Sequence, residues 1–404
     1  MNRSRLAMSD RLPISAAVTS LRTRGALVTV CHPVASLESG GLERQLAQAA
    51  ALLPRDRFRH VIVTRDAGNP GESPVPLPDG VRLVRLAGSG PDPHWASALA
   101  EVIRAHGSQV LHIRGFSMLL DAVFAAESAG PVTLAFSFHG FEEYPPRWSA
   151  FRRAMLRAAA RNCAARWAVS RAAADSAAAE LRMDPAEFSV LPNGVDTAHF
   201  VPAEDRQSIR APLGLPPDLP ILLTVGNLKP VKGHDVLLKA LAIARARGGE
   251  FRAVFVGRDY LDGALQRLAH ELRLDDFVSF VGAHDDTRIW HQAADIFVLP
   301  SRWEGMSNAL LEAMACGVAC VATDVGGNRE AIDDGVTGRL VRPGCADSLA
   351  CALAELLSES HVRKQLGAAA RAFVCAHHSI ENTFRLLADR YLCLAGQRTS
   401  GEPL

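Results

Sequence analysis

Two doubly wound α/β domains facing each other across a cleft, followed by C-terminal helices, are the fold class that the sequence predicts. Three observations predict it. The chain has 404 residues, more than one hydrophobic core ordinarily serves, so it should divide. From residue 26 onward, short β-rich apolar runs alternate with segments of helical spacing, the pattern of parallel sheets covered by helices on both faces. The alternation then runs a second time, after a polar stretch at 202–220 that contains Pro212, Pro216 and Pro217.

The first series places strands near 26–31, 60–64, 81–86, 110–113, 132–138 and 166–169. Helical spacing lies between them, for example at 42–53, 95–105 and 117–126. The second series places strands near 221–225, 252–256, 278–281, 295–299, 318–322 and 339–341. After Ala346 the strand pattern stops and helices run to about Ala395. The reading divides the chain into a loose arm at 1–24, one domain at 25–200, a second at 201–380, a helix at 381–395 packing back on the first domain, and a tail at 396–404.

Composition narrows the function classes. Hydrophobic residues at 48% with 22% charged belong to a globular chain, and a net charge of +1 gives no reason to expect nucleic acid. Up to Asp196, 22 Arg stand against 18 Asp or Glu, so the first half is net positive and is the better partner for an anion or a membrane surface. No run approaches the roughly 20 apolar residues that span a bilayer. In the arm, Pro13, Ser15, Thr19 and Ser20 interrupt any signal-peptide core. Eight cysteines without a CxxC pair or framework spacing read as free, mostly buried thiols, and a cytoplasmic protein is expected.

Ligands of open α/β sheets bind outside the carboxyl ends of the strands, so the loops there carry the argument. The segment Ser301-Arg302-Trp303-Glu304-Gly305-Met306-Ser307-Asn308 leads from an apolar strand into a helix with Ser307 or Asn308 as N-cap. Free amides and the positive helix end make that an anion site suited to a diphosphate. Glu304 and Glu312 flank it, each able to accept from sugar or ribose hydroxyls. The loop Gly226-Asn227-Leu228-Lys229-Pro230-Val231-Lys232-Gly233-His234 brings Lys229 and Lys232 to a neighbouring strand end, where a lysine can serve a leaving diphosphate as a point charge. The pair Gly40-Gly41 opens the first helix and admits a close backbone approach, but it is not the dinucleotide fingerprint, so NAD is disfavoured. His139, before Gly140 at the end of an apolar strand, can hydrogen-bond a substrate hydroxyl or handle a proton, or be purely structural.

Together these loops resemble family 4 of the retaining glycosyltransferases, the GT-B type with two Rossmann-like domains. The resemblance covers about residues 26–395. In the second half it rests on Val225-Gly226 with Lys232-Gly233-His234, Gly282, Ala294-Asp295 with Leu299-Pro300-Ser301, the Glu304/Glu312 pair, Glu312-Ala313-Met314-Ala315-Cys316-Gly317, and Val325-Gly326-Gly327 with Glu330. In the first half it rests on Gly40-Gly41 with Glu43-Arg44, on His139-Gly140, on Val169-Ser170 and on Leu191-Pro192-Asn193-Gly194-Val195-Asp196. It implies an acceptor-side first domain and a second domain that binds a nucleotide-diphosphate sugar. Lys232, Glu304 and His139 are then the catalytic set. Lys232 would neutralise the leaving diphosphate, Glu304 with Gly305 and Met306 would hold the hexose, and His139 would contact the sugar near the reacting carbon. The amides of Ser307 and Asn308 would take the phosphate, and Glu312 the ribose. Gly40 and Gly41 would close from the other domain, and Gly282 would lie by the base. No Asp-x-Asp occurs, so no metal or other cofactor is expected.

One departure stands out: Asn227 occupies a position where many members carry Arg, which leaves more of the diphosphate charge to Lys232 and Lys229. The expected acceptor is a saccharide or a lipid-linked glycan, in cell-surface polysaccharide assembly. At 148–161 a helical wheel groups Trp148, Phe151, Met155 and Ala159 opposite Arg153, Arg157 and Arg161. That helix either packs its apolar face on the sheet or leans on an anionic inner membrane face. Two alternatives share the architecture: a nucleotide-sugar 2-epimerase, which would need no acceptor, and a non-catalytic scaffold of a glycan assembly complex.

Overall fold

The structure is a computed structural model that describes residues 26–37, 40–65, 75–88, 92–141 and 148–396. The N-terminal arm and most of the tail therefore lie outside the described residues.

Apolar runs and helical segments alternate through the first half as β1 (Val28–Val34), α1 (Gly41–Leu52), β2 (Phe58–Thr64), β3 (Arg82–Arg85), α2 (Pro93–His106), β4 (Val110–Arg114), α3 (Leu119–Ala129), β5 (Thr133–Phe138), α4 (Ala150–Arg161), β6 (Ala165–Ala168), α5 (Arg171–Leu181) and β7 (Ser189–Val190). The second half continues with α6 (Arg206–Arg210), β8 (Ile221–Val225), α7 (His234–Ala246), β9 (Arg252–Val256), α8 (Ala264–Glu271), β10 (Val278–Gly282), α9 (Arg288–Ala293), β11 (Ile296–Leu299), α10 (Asn308–Ala315), β12 (Ala319–Thr323), α11 (Asn328–Ala331) and β13 (Arg339–Val341). Three helices end it: α12 (Ala346–Ser358), α13 (Ser360–His377) and α14 (Ile380–Leu394).

The first sheet has the order β3-β2-β1-β4-β5-β6-β7 and the second β10-β9-β8-β11-β12-β13, with every strand pairing parallel. The two-domain α/β fold read from the sequence is thus the fold observed. Each sheet changes winding direction once, between β1 and β4 and between β8 and β11. Connections diverge there and leave a crevice at the strand ends. Central strands are buried and mostly apolar because helices cover both faces; β1 is buried at all seven positions, its Thr29 and His32 included. The two-residue edge strand β7 is too short to show a period in sequence.

Helix α14 crosses to the first sheet. Its Phe384, Leu387, Ala388 and Tyr391 pack with Val28, Val110, Ala135 and Trp167. Helix α4 corrects the helical-wheel reading. Its packed face is Leu156, Ala159 and Ala160, while Phe151 is 76% exposed and Arg153 pairs with Glu180 at 2.9 Å. The wheel contained two overlapping apolar arcs, and the one that continues to buried Cys163 reaches the core. All eight cysteines are free, but only Cys31, Cys163, Cys316 and Cys320 are buried.

Candidate active site

The two switch points face each other across one cleft, with about 630 Å³ open to a ligand, within the roughly 300–1,000 Å³ typical of small-molecule sites. The loops after β8 and β11 are neighbours there because their strands pair. Arg302 ties them together: its guanidinium donates to the Pro230 carbonyl at 2.6 Å and to both Asp235 carboxylate oxygens at 2.8 Å, and its amide donates to the Val231 carbonyl. The clamp sets Lys232 against Glu304, with Nζ 2.7 Å from Oε1. Ser301 Oγ donates to the same oxygen at 2.6 Å. The second oxygen of Glu304 has no protein partner among the described residues.

Glu312, on α10, follows the same arrangement. Its Oε2 accepts from Thr287 Oγ1 at 3.2 Å and lies 3.3 Å from His291 Nε2, while Oε1 has no protein partner among the described residues. Ser307 caps α10 by accepting from the Leu310 amide at 3.3 Å. Among the described residues, the amides of Met306 and Ser307 make no backbone hydrogen bond. The site therefore offers the Lys232 ammonium, two half-occupied carboxylates and a helix start with unused donors.

The N-terminal domain closes directly onto this surface. Asn308 Nδ2 donates to the Gly41 carbonyl at 3.2 Å, and its Oδ1 accepts from Gln45 and Asn193 at 3.1 and 2.9 Å. Asn193 also donates to the Met306 carbonyl at 2.9 Å, and Arg44 to the His284 carbonyl at 3.0 Å. Ser170 Oγ donates to the Gly305 carbonyl at 2.7 Å, while Glu330 accepts from the Arg171 and Ala172 amides at the start of α5. Glycine is required at this seam. A Cβ on Gly305 would lie 2.2 Å from the His139 carbonyl oxygen, and one on Gly326, at φ +49°, 1.7 Å from that of Glu304.

His139 lines the cleft, and its Nε2 is 2.8 Å from Ser137 Oγ. Burial, and then the charge of Arg114, pushes its imidazole down to about 3, so the ring is neutral near pH 7. Of the residues named from sequence, Gly40, Gly41, Asn227, Lys232, His139, Glu304, Gly305, Met306, Ser307, Asn308 and Glu312 all line this one cleft. Gly282 does not. Its carbonyl accepts from the Gly257 amide, which holds it in the sheet edge, and the lining resumes at Ala283. Lys229 lines the cleft, with its ammonium 4.6 Å from the Tyr260 ring centre, and Asn227 Oδ1 accepts from the Arg258 amide. Glu38, Ser39, Glu142 and Glu143 lie outside the described residues.

Sequence reading assigned no role to Arg44, Gln45, Asn193, Ser170 or Glu330, the residues that join the domains. Arg44, Ser170, Asn193 and Glu330 stand in the motifs that carry the resemblance, so a signal was present. Gln45 acts on Asn308, 263 positions away, which one sequence does not expose. Among the described residues, no three His, Cys, Asp or Glu side chains group as metal ligands, and no helix is long and apolar enough to cross a membrane.

Comparison with known proteins agrees with this geometry, one half at a time. Residues 39–199 match the model of Glycosyltransferase Family 4 and residues 205–373 that of Glycosyl transferases group 1. The chain belongs to this glycosyltransferase family. A D-inositol 3-phosphate glycosyltransferase 2 of Catenulispora acidiphila is 41% identical over 189 residues, 44% of each chain. A GDP-mannose-dependent monoacylated alpha-(1-6)-phosphatidylinositol monomannoside mannosyltransferase of Corynebacterium glutamicum is 36% identical over 205 residues, 48% of this chain and 53% of that one. The chain spans about half the length of the curated relatives it matches. Among solved structures, a sucrose-phosphate synthase of Thermosynechococcus elongatus has a TM-score of 0.77 at 23% identity, covering 92% of this chain and 100% of its own. Anabaena HepE in complex with UDP and glucose has a TM-score of 0.77 at 21% identity, covering 90% and 99%. These two share the fold.

Proposed function

We propose that the protein is a retaining, metal-independent glycosyltransferase that moves a hexose from a nucleoside-diphosphate donor to a saccharide or lipid-linked acceptor in cell-surface glycan assembly. The observation that carries the reading is the Lys232–Glu304 pair, set beside a helix start with unused amides and opposite Glu312. Lys232 and the amides of Ser307 and Asn308 meet the diphosphate, in place of a metal. The free oxygen of Glu312 takes ribose hydroxyls and that of Glu304 takes hexose hydroxyls. Gly40 and Gly41 close over the donor, and neutral His139 acts as a hydrogen-bond donor to the sugar.

The acceptor hydroxyl attacks the anomeric carbon on the face the diphosphate leaves. The new carbon–oxygen bond forms as the bond to the phosphate oxygen breaks. That oxygen takes the acceptor proton, and the nucleoside diphosphate departs as Lys232 compensates its charge. The names of the relatives support an acceptor built on inositol phosphate or a phosphatidylinositol glycan, and the UDP and glucose held by HepE support a nucleotide-sugar donor. Exposed Phe151, beside exposed Arg152 and Arg161 on α4, supports peripheral contact with an anionic inner membrane face.

The test is incubation with UDP-, GDP- and ADP-hexoses, with and without inositol phosphate or phosphatidylinositol acceptors, in EDTA. Product glycoside and its anomeric configuration are read by NMR. Acceptor-dependent release of nucleoside diphosphate with retained configuration is expected. Conversion of donor alone points to a 2-epimerase, and no turnover with any pair points to a scaffold.

A further inference from the structure

Behind His139 the first domain holds a line of hydrogen-bonded polar side chains, with a second branch beside it, inside strands that are otherwise apolar. Ser137 Oγ, 2.8 Å from His139 Nε2, is also 2.8 Å from His112 Nε2. His112 Nδ1 is 2.7 Å from the Tyr391 hydroxyl on α14. His112 Nδ1 is the one hydrogen-bond partner of the Tyr391 hydroxyl among the described residues. In the same interior Arg114 Nη1 is 2.8 Å from His32 Nδ1, and His32 Nε2 is 2.9 Å from His60 Nδ1. His32, His60, His112, Arg114, Ser137 and Tyr391 are all buried. The line draws on β1, β2, β4, β5 and α14.

Hydrogen accounting gives the line a single direction. A guanidinium donates and cannot accept. Arg114 therefore donates to His32 Nδ1, and the buried phenol hydrogen of Tyr391, whose one acceptor among the described residues is His112 Nδ1, goes to that nitrogen. His112 then carries its hydrogen on Nε2 and donates to Ser137, and the Ser137 hydroxyl donates to His139 Nε2. Along the other branch, His32 Nδ1 accepts, its Nε2–H donates to His60 Nδ1, and the His60 hydrogen sits on Nε2. That nitrogen is where the line should end without an acceptor, and it is a buried nitrogen with no partner. Any reversal would leave a further buried hydrogen unmatched, which costs about 1–3 kcal/mol per group.

We infer that Tyr391, acting through His112 and Ser137, fixes His139 as the neutral Nδ1–H tautomer and makes its Nδ1 a dedicated donor into the cleft. Nδ1 has no protein partner among the described residues, and His139 lines the cleft. The charged groups acting on the line all favour neutral rings. Burial comes first and Arg114 next in pushing down His32, His60, His112 and His139, and the carboxylate of Glu43 acts on Arg114 itself. Beside the line is a void of only about 40 Å³, room for on the order of three waters. It is too small for a substrate, so these residues serve His139 from behind. Tyr391 and Ser137 are positioning residues, and the C-terminal helix is part of the active-site support.

The experiment is a two-bond 15N–1H correlation spectrum of the full chain labelled at histidine, with His139 assigned from His139→Gln. The expected pattern for His139 at pH 7 is hydrogen on Nδ1 and a bare Nε2. Tyr391→Phe and Ser137→Ala should each abolish that single-tautomer pattern, and Ser137→Thr, which keeps the hydroxyl, should restore it. Hydrogen on Nε2 in the wild type overturns the inference, as does an unchanged pattern in Tyr391→Phe or Ser137→Ala. What the Nδ1 hydrogen serves rests on the glycosyl-transfer reading. With transfer, Tyr391→Phe lowers kcat about fivefold, the loss of one neutral hydrogen bond, at unchanged donor KM. The spectrum stands whether or not transfer is found.

Discussion

In the C-terminal domain, the charged groups that line the cleft stand on strand-end segments or the helix that follows: Lys229 and Lys232 after β8, Asp285 and Asp286 after β10, Glu304 after β11 and Glu312 on α10. In the N-terminal sheet, which winds in the same order, the polar groups lie within the strands: His32 on β1, His60 on β2, His112 and Arg114 on β4. One domain meets the ligand with side chains on loops. The other prepares a single ring, His139, from deep in its core. The difference teaches that the same topology can build a site from its rim or through its interior, and only the first kind leaves a compact motif.

The comparison breaks most visibly at the rim. Lys232→Ala removes the ammonium paired with Glu304 and leaves that buried carboxylate with Ser301 alone. A fall of about 100- to 1,000-fold in kcat is expected, the usual loss for a charge-stabilising group, measured by initial rates at saturating donor.

The interior is broken by acid. His60 and His234 are buried and pushed down to about 3, chiefly by desolvation, whereas in the unfolded chain they titrate near 6.5. Below 6.5 the unfolded chain binds more protons, so stability falls as pH drops and levels off below about 3. Each histidine should take about 1.4 kcal/mol per pH unit over that window and nothing above it, read from denaturant midpoints at stepped pH.

The seam between the two halves is probed by Gly305→Ala, whose Cβ would meet the His139 carbonyl oxygen. A loss of about 1–3 kcal/mol is expected from overpacking, measured by chemical denaturation. A smaller effect follows on the nucleotide side. Glu312→Ala should weaken nucleotide binding about tenfold, near the 1.5 kcal/mol of a hydrogen bond to a charged group, measured by calorimetry. Smallest is the outer surface, where Phe151→Ser should leave turnover on soluble acceptors unchanged and reduce flotation with anionic liposomes; binding unaffected by the change would remove α4 from any membrane contact.

Much of the fold was legible because parallel strands sandwiched by helices are continuous apolar runs of fixed length. The C-terminal site was legible for a related reason: Lys232, Glu304 and Glu312 are polar punctuation at the ends of such runs. The interior line was not. The sequence reading ends the first strand at Cys31, just where His32 begins, although the strand continues buried to Val34. A histidine inside an apolar run looks like a boundary until its partners are known. Those partners come from four other elements, and Tyr391 is 279 positions from His112. Gly282 shows the opposite case: a strand-end glycine whose carbonyl accepts from the Gly257 amide, so that the cleft lining resumes at Ala283.

The most direct test of the central claim, a metal-free nucleotide-sugar site at the β8–β11 switch point, is thermal denaturation in EDTA with UDP, GDP, ADP and their hexose conjugates. Wild type and Glu312→Ala are compared. At a hundred times its dissociation constant a bound ligand stabilises by about 2.7 kcal/mol. The expected result is that one nucleotide series raises the melting temperature of the wild type in EDTA and raises that of Glu312→Ala less. No stabilisation by any of them, or stabilisation equal in the variant, would contradict the site assigned to this cleft.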